Sequence, residues 1–109
     1  MPWLVRGSDV LASLEVAKGW PARLKGLLGR TGVEGALLLR PARGVHTLGM
    51  RFALDVAFCS ADLTVLRVAT VARHRLPRAP RGTRAVIEAE AGAFERWGLK
   101  AGDRLDVRG

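Results

Sequence analysis

Between Val10 and Ala17 apolar side chains recur at every second position. Val10, Ala12, Leu14 and Val16 alternate with Ser13 and Glu15, which predicts a first strand. Lys18 and Gly19 end it. Trp20 and Pro21 open a short helix, since proline suits the first helical position, and Leu24, Leu27 and Leu28 form its apolar stripe before Gly29 and Gly32 close it. The run from Gly35 to Arg40 is too short for a helix between glycine and proline, so it reads as a buried strand. Leu54, Val56 and Phe58 alternate with Asp55, Ala57 and Cys59. A polar turn from Cys59 to Asp62 then returns the chain along Leu63 to Ala72 as a hairpin. The returning strand is apolar on both faces apart from Arg67, Thr64 and Thr70, as a closed or folded-over sheet would require.

In the last third, Ala85 to Ala91 alternates as a strand with Glu88 and Glu90 on one face. Gly92 starts a short helix carrying Phe94 and Trp97, and Gly98 stops it. Lys100 to Gly102 turn the chain, with Asp103 bonding backbone N–H groups of that turn, and Arg104 to Val107 form a final strand with Leu105 and Val107 inward. The expected fold is mainly β (α+β): a small barrel-like sheet, antiparallel or mixed, with two short helices. The chain's 109 residues leave room for one core, so residues 1–109 are read as one domain.

Charge changes this picture in one segment. The formal net charge is +8, and Arg73, Arg75, Arg78, Arg81 and Arg84 contribute to it with no acid between them. Prolines and a glycine make this segment a loop. It is either a solvated basic loop or a contact for an anion, a nucleic acid or an acidic partner. No aromatic side chain is interleaved with the arginines, which counts against a single-strand binder. The single cysteine, Cys59, excludes an intrachain disulfide, and no segment has the length of a signal peptide's apolar core or a membrane span. The expectation is a cytoplasmic protein without a membrane partner.

Candidate chemistry gathers in Val45 to Phe58, VHTLGMRFALDVAF, which sets His46, Thr47 and Asp55 within an apolar, strand-like run. Asp55 shares its face with small apolar residues, so its carboxylate needs backbone donors, an arginine or a ligand. His46 and Thr47 could face the same pocket, or could hydrogen-bond neighbouring backbone in a tight sheet. Met50 reads as core filler and Gly49 as a bend. Glu88 and Glu90 suit acid–base or metal chemistry, or serve as exposed partners for the arginines. With two histidines in the chain there is no metal box. Phosphate-binding and dinucleotide-binding glycine loops, a Cys-x-x-Cys pair and a nucleophile elbow are also missing, so no cofactor or metal is implied.

Five pieces in order carry a resemblance: RLKGLLGR from Arg23, GALLLRP from Gly35, VHTLGMRFALDVAF from Val45, VIEAEAG from Val86 and GLKAGDRL from Gly98. Together they resemble the family known as domain of unknown function 192, over about Val10 to Val107. The resemblance implies a small, mostly β domain with a barrel-like sheet and short helices. Many members carry Phe-Trp-Met-Lys-Asn-Thr in the central motif. Here His46 stands at the tryptophan and Met50 at the threonine, so the chain looks like a histidine-containing branch, and no activity comes with the resemblance.

The residues therefore favour a binding or accessory module whose polar pocket is lined by His46, Thr47, Asp55 and Glu88, with an unknown small ligand or protein as partner. One alternative is a small enzyme using His46 with Asp55 or Glu88 as acid and base. The other is an anion or nucleic-acid contact through Arg73, Arg75, Arg78, Arg81 and Arg84.

Overall fold

Seven strands and one short helix follow one another in a computed structural model that describes residues 2–17, 34–45 and 50–109. The strands are β1 (Trp3–Arg6), β2 (Asp9–Ala17), β3 (Ala36–Leu39), β4 (Leu54–Cys59), β5 (Val65–Val71), β6 (Ala85–Glu90) and β7 (Asp106–Arg108). The helix, α1 (Ala93–Trp97), lies between β6 and β7. The helix predicted after Trp20 and Pro21 falls outside the described residues, as do His46 and Thr47. The sheet runs in the order β5-β4-β6-β3-β2-β1-β7. All pairings are antiparallel except β2 with β3.

The middle of this order explains the apolar runs. Every residue of β3 and β4 is buried, as are the first five of β6. Side chains that alternate along each strand therefore feed two separate cores. On the first face, Leu14, Leu38, Ala57, Ile87 and Phe94 pack together with Leu4 and Leu105. On the second, Leu37, Leu54, Val56, Phe58 and Val86 pack with Met50, which is the core filler its sequence context predicts.

Three expectations need correction. The sheet is open rather than a closed barrel. Its edges approach at one end only, where Thr64 bridges Arg104 and the Val65 and Leu105 N–H groups donate to Asp103 and Leu63 carbonyls at 2.7 and 3.0 Å. β5 is consequently an edge strand with mostly half-buried or exposed side chains, not a strand covered on both sides. Finally, the chain starts one strand earlier than the alternation from Val10 suggests. β1 forms a hairpin with β2 through Gly7 and Ser8, and Gly7 takes the positive φ of 61° that such a tight turn needs.

Gly35 marks the point where the parallel pair begins. Its φ is +75°, and a Cβ there would lie 2.6 Å from the Ser13 carbonyl oxygen, so only glycine lets β3 approach β2 this closely.

Candidate functional site

Asp55 lies in β4 on the first face of the sheet, beside Ala89 of β6 and Thr70 of β5, and is 3% exposed. Both carboxylate oxygens are engaged. The Thr70 hydroxyl donates to Oδ1 at 2.7 Å, and the N–H groups of Gly92 and Phe94 each donate to Oδ2 at 3.0 Å. Gly92 is the N-cap of α1 and has no side chain to bond the free N–H groups of the first turn. Asp55 supplies that cap from the neighbouring strand. Backbone donors thus satisfy it, joined by a threonine rather than an arginine.

The other end of α1 is held from the sheet as well. The Arg6 guanidinium donates to the carbonyls of Trp97 at 2.9 Å and Gly98 at 3.2 Å, and pairs with Asp103 at 3.0 Å. A carboxylate at the N-terminus and a guanidinium at the C-terminus match the free groups that each helix end presents. Burial alone would raise the Asp103 carboxyl, but the Lys100 N–H and Arg6 outweigh it and hold the group below its ordinary range. Asp103 accepts the Lys100 N–H at 3.1 Å, the turn-bonding role its position predicts.

Glu88 sits in β6 between Leu37 and Val56, its register partners in β3 and β4, and is 2% exposed. Those neighbours belong to the second core, so Glu88 and Asp55 project from opposite faces of the sheet. An acid–base pair of these two carboxylates across one pocket is therefore excluded by the register. Glu88 is also not the exposed arginine partner that the alternation in β6 suggests. Glu90 is: it is exposed and pairs with Arg96 at 2.5 Å. Val45 and Met50, which flank residues 46–49, both pack on the Glu88 face.

Among the clefts that the described residues line, two lie near these groups. One, of about 290 Å³, lies over Asp55, Thr70, Phe94, Glu95 and Leu99 on the first face. The other, of about 460 Å³, lies at the seam between the sheet edges and is lined by Arg40, Asp62, Leu63, Arg104 and Arg108. Asp62 is held down to about 2 by hydrogen bonds from the Ser60 hydroxyl and from Thr64, with Arg104 adding a smaller electrostatic pull. Among the described residues no three His, Cys, Asp or Glu side chains come together as a metal site, and no described helix is long and apolar enough to cross a membrane.

The loop predicted at Arg73 to Arg84 is present as irregular chain, and all five of its arginines are exposed. None of Arg73, Arg78, Arg81 and Arg84 forms an ion pair with a carboxylate among the described residues.

Cys59 ends β4 fully buried. Burial pushes its thiol up to about 12, against a weaker downward pull from Arg40. The unfolded thiol ionises near 9.0, so the folded state keeps a proton that the unfolded chain loses over that range. Stability contributed by the neutral thiol is complete below pH 9 and declines as pH rises towards 12. Native protein at pH 8 is expected to react with iodoacetamide far more slowly than unfolded protein. Equal rates in the two states would contradict this burial.

An open, mainly β sheet, with two cores and a helix clamped from two of its strands, defines a small β-rich domain. The chain belongs to the DUF192 family, described as an uncharacterized ACR, whose model matches residues 4–107. Among solved structures, a protein of unknown function from Novosphingobium aromaticivorans DSM 12444 is 27% identical with a TM-score of 0.80, over 96% of this chain and 83% of its own. A candidate transcription regulator from Sinorhizobium meliloti 1021 is 23% identical with a TM-score of 0.80, over 97% of this chain and 91% of its own, and shows the shared fold. No curated protein matches the chain.

Proposed function

We propose that this single domain is a non-catalytic binding or accessory module of the cytoplasm, with a polar ligand site that includes Glu88 and for which the sequence also offers His46 and Thr47. The observation that carries this reading is the burial of Glu88 between Leu37 and Val56. A carboxylate is costly to hold on an apolar face unless donors or a cation meet it, and such positions concentrate at functional sites. In support of this reading, Val45 and Met50 pack in the same core as Leu37 and Val56, the strand neighbours of Glu88. Asp55, on the opposite face with its oxygens committed to Thr70, Gly92 and Phe94, takes a structural role instead.

A ligand recognised by a buried carboxylate offers a cationic or hydrogen-bond-donating group. The test is a thermal-shift screen of amines, guanidines and amides on the wild type, E88Q, H46A and D55N. A compound present at about 100 times its Kd stabilises the native state by about 2.7 kcal/mol. The expected result is a shift in the wild type that is retained in D55N and lost in E88Q and H46A. A shift that survives in both E88Q and H46A, or the absence of any shift across these classes, would overturn the proposal.

A further inference from the structure

The arginines of the β5–β6 loop do not stand alone in the fold. The Ala42 N–H donates to the Arg84 carbonyl at 2.9 Å, which ties the segment after β3, with Arg40 and Arg43, to the end of the loop. Gly44 lies against Ala79 across the same junction. The Arg84 N–H in turn donates to the Cys59 carbonyl at 2.8 Å, fixing the loop's end to the end of β4. From β5, Arg67 donates to the Arg78 carbonyl and stacks its guanidinium 5.2 Å from the centre of the Phe58 ring. The segment after β3 and strand β5 thus bring Arg40, Arg43 and Arg67 to the loop that already holds Arg73, Arg75, Arg78, Arg81 and Arg84. All eight are exposed. No carboxylate lies within residues 72–84 or 40–45.

We infer that this surface binds duplex nucleic acid through its phosphate backbone. Guanidinium groups are weakly hydrated, always charged and matched in shape to phosphate oxygens, so an all-arginine surface suits that ligand better than a lysine one would. Protein interfaces are built on a buried apolar centre. The only large apolar side chain exposed in this loop is Leu76, which leaves too little for such a centre. Single strands are gripped by stacking on exposed aromatics. None lies in the loop, and Phe58, the ring beneath Arg67, is fully buried. Contacts of this kind position a backbone without reading bases, so the binding is independent of sequence.

The experiment measures anisotropy of labelled DNA and RNA duplexes of about 20 base pairs while salt is raised from about 50 to 200 mM. The wild type, R78A/R81A and R96A/K100A are compared. The two double variants remove equal charge, the second from α1 and the turn after it. The wild type is expected to bind at least one duplex with an affinity that falls steeply with salt. The loop variant should bind roughly ten-fold more weakly or worse, with the magnitude of its log–log salt slope lower by about 2. The control variant should stay close to the wild type. Absence of duplex binding at the lowest salt, equal weakening by both variants, or capture of a polyglutamate peptide without duplex binding would each overturn the inference. None of these outcomes depends on Glu88, so the proposed pocket stands or falls separately.

Discussion

Asp55→Ala is expected to lower the stability of the fold by about 3–5 kcal/mol. The substitution leaves the Gly92 and Phe94 N–H groups and the Thr70 hydroxyl without their acceptor; Phe94 is buried, whereas Gly92 is half-buried and the exposed Thr70 can turn to water. Asp55→Asn separates hydrogen bonding from charge. Its amide oxygen can take both backbone N–H groups, and its NH₂ can donate to Thr70, whose hydroxyl then accepts. Only the charge-assisted part of the cap is lost, and the cost should be near 1 kcal/mol. Urea unfolding of the three proteins checks this, with the alanine variant far below the asparagine variant. Equal losses in the two would mean that charge, not acceptor geometry, holds α1. A wild-type-like alanine variant would remove Asp55 from the fold's support altogether.

Phe58→Ala should cost a similar amount, about 3–5 kcal/mol, for a different reason. Phe58 is fully buried in the second core beside Val56 and Val86, and β4 and β6 lie in the middle of the sheet, where backbone movement to refill the space is restricted. Arg67 would also lose the ring beneath its guanidinium. Chemical denaturation with the midpoint and slope fitted separately is the appropriate measurement. A loss below about 1 kcal/mol would show that the second core collapses around the gap.

The parts of the fold legible in the sequence are those set by neighbours a few residues away. The alternation from Leu54 to Cys59 and the polar turn after it give the β4–β5 hairpin. Gly92 and Gly98 mark α1 to the residue, because both adopt the left-handed conformation at its caps. The alternation from Val10 does not reach β1, although Gly7 and Ser8 between two short apolar runs are a hairpin signal.

What could not be read depends on register between distant strands. Asp55 is recognisable as an odd residue in an apolar strand. That its partners are the N–H groups of Gly92 and Phe94 follows only from where α1 lands on the sheet. The pattern AVIEAE in β6 suggests a polar face in solvent, yet β6 lies between β3 and β4 and Glu88 is buried there. The pairings Asp55 with Ala89 and Val56 with Glu88 put the two carboxylates on opposite faces, and neither strand alone contains that information. The basic loop was visible as a run of charge, whereas the addition of Arg40, Arg43 and Arg67 required the folded chain.

The strand order also governs how quickly this chain can fold. Two pairings, β1 with β2 and β4 with β5, are hairpins that can form by local search. The other four join remote segments: Ala36 must meet Ala89, Val56 must find Glu88, Leu14 must align in parallel with Ala36, and Trp3 must come to rest opposite Arg108. Closing such loops consumes chain entropy before their contacts repay it, and sheets dominated by non-local pairing fold in about milliseconds to seconds rather than microseconds. Until β6 slots between β3 and β4, the apolar surfaces of all three strands remain open, and that interval is when the chain is most exposed to association with its own copies.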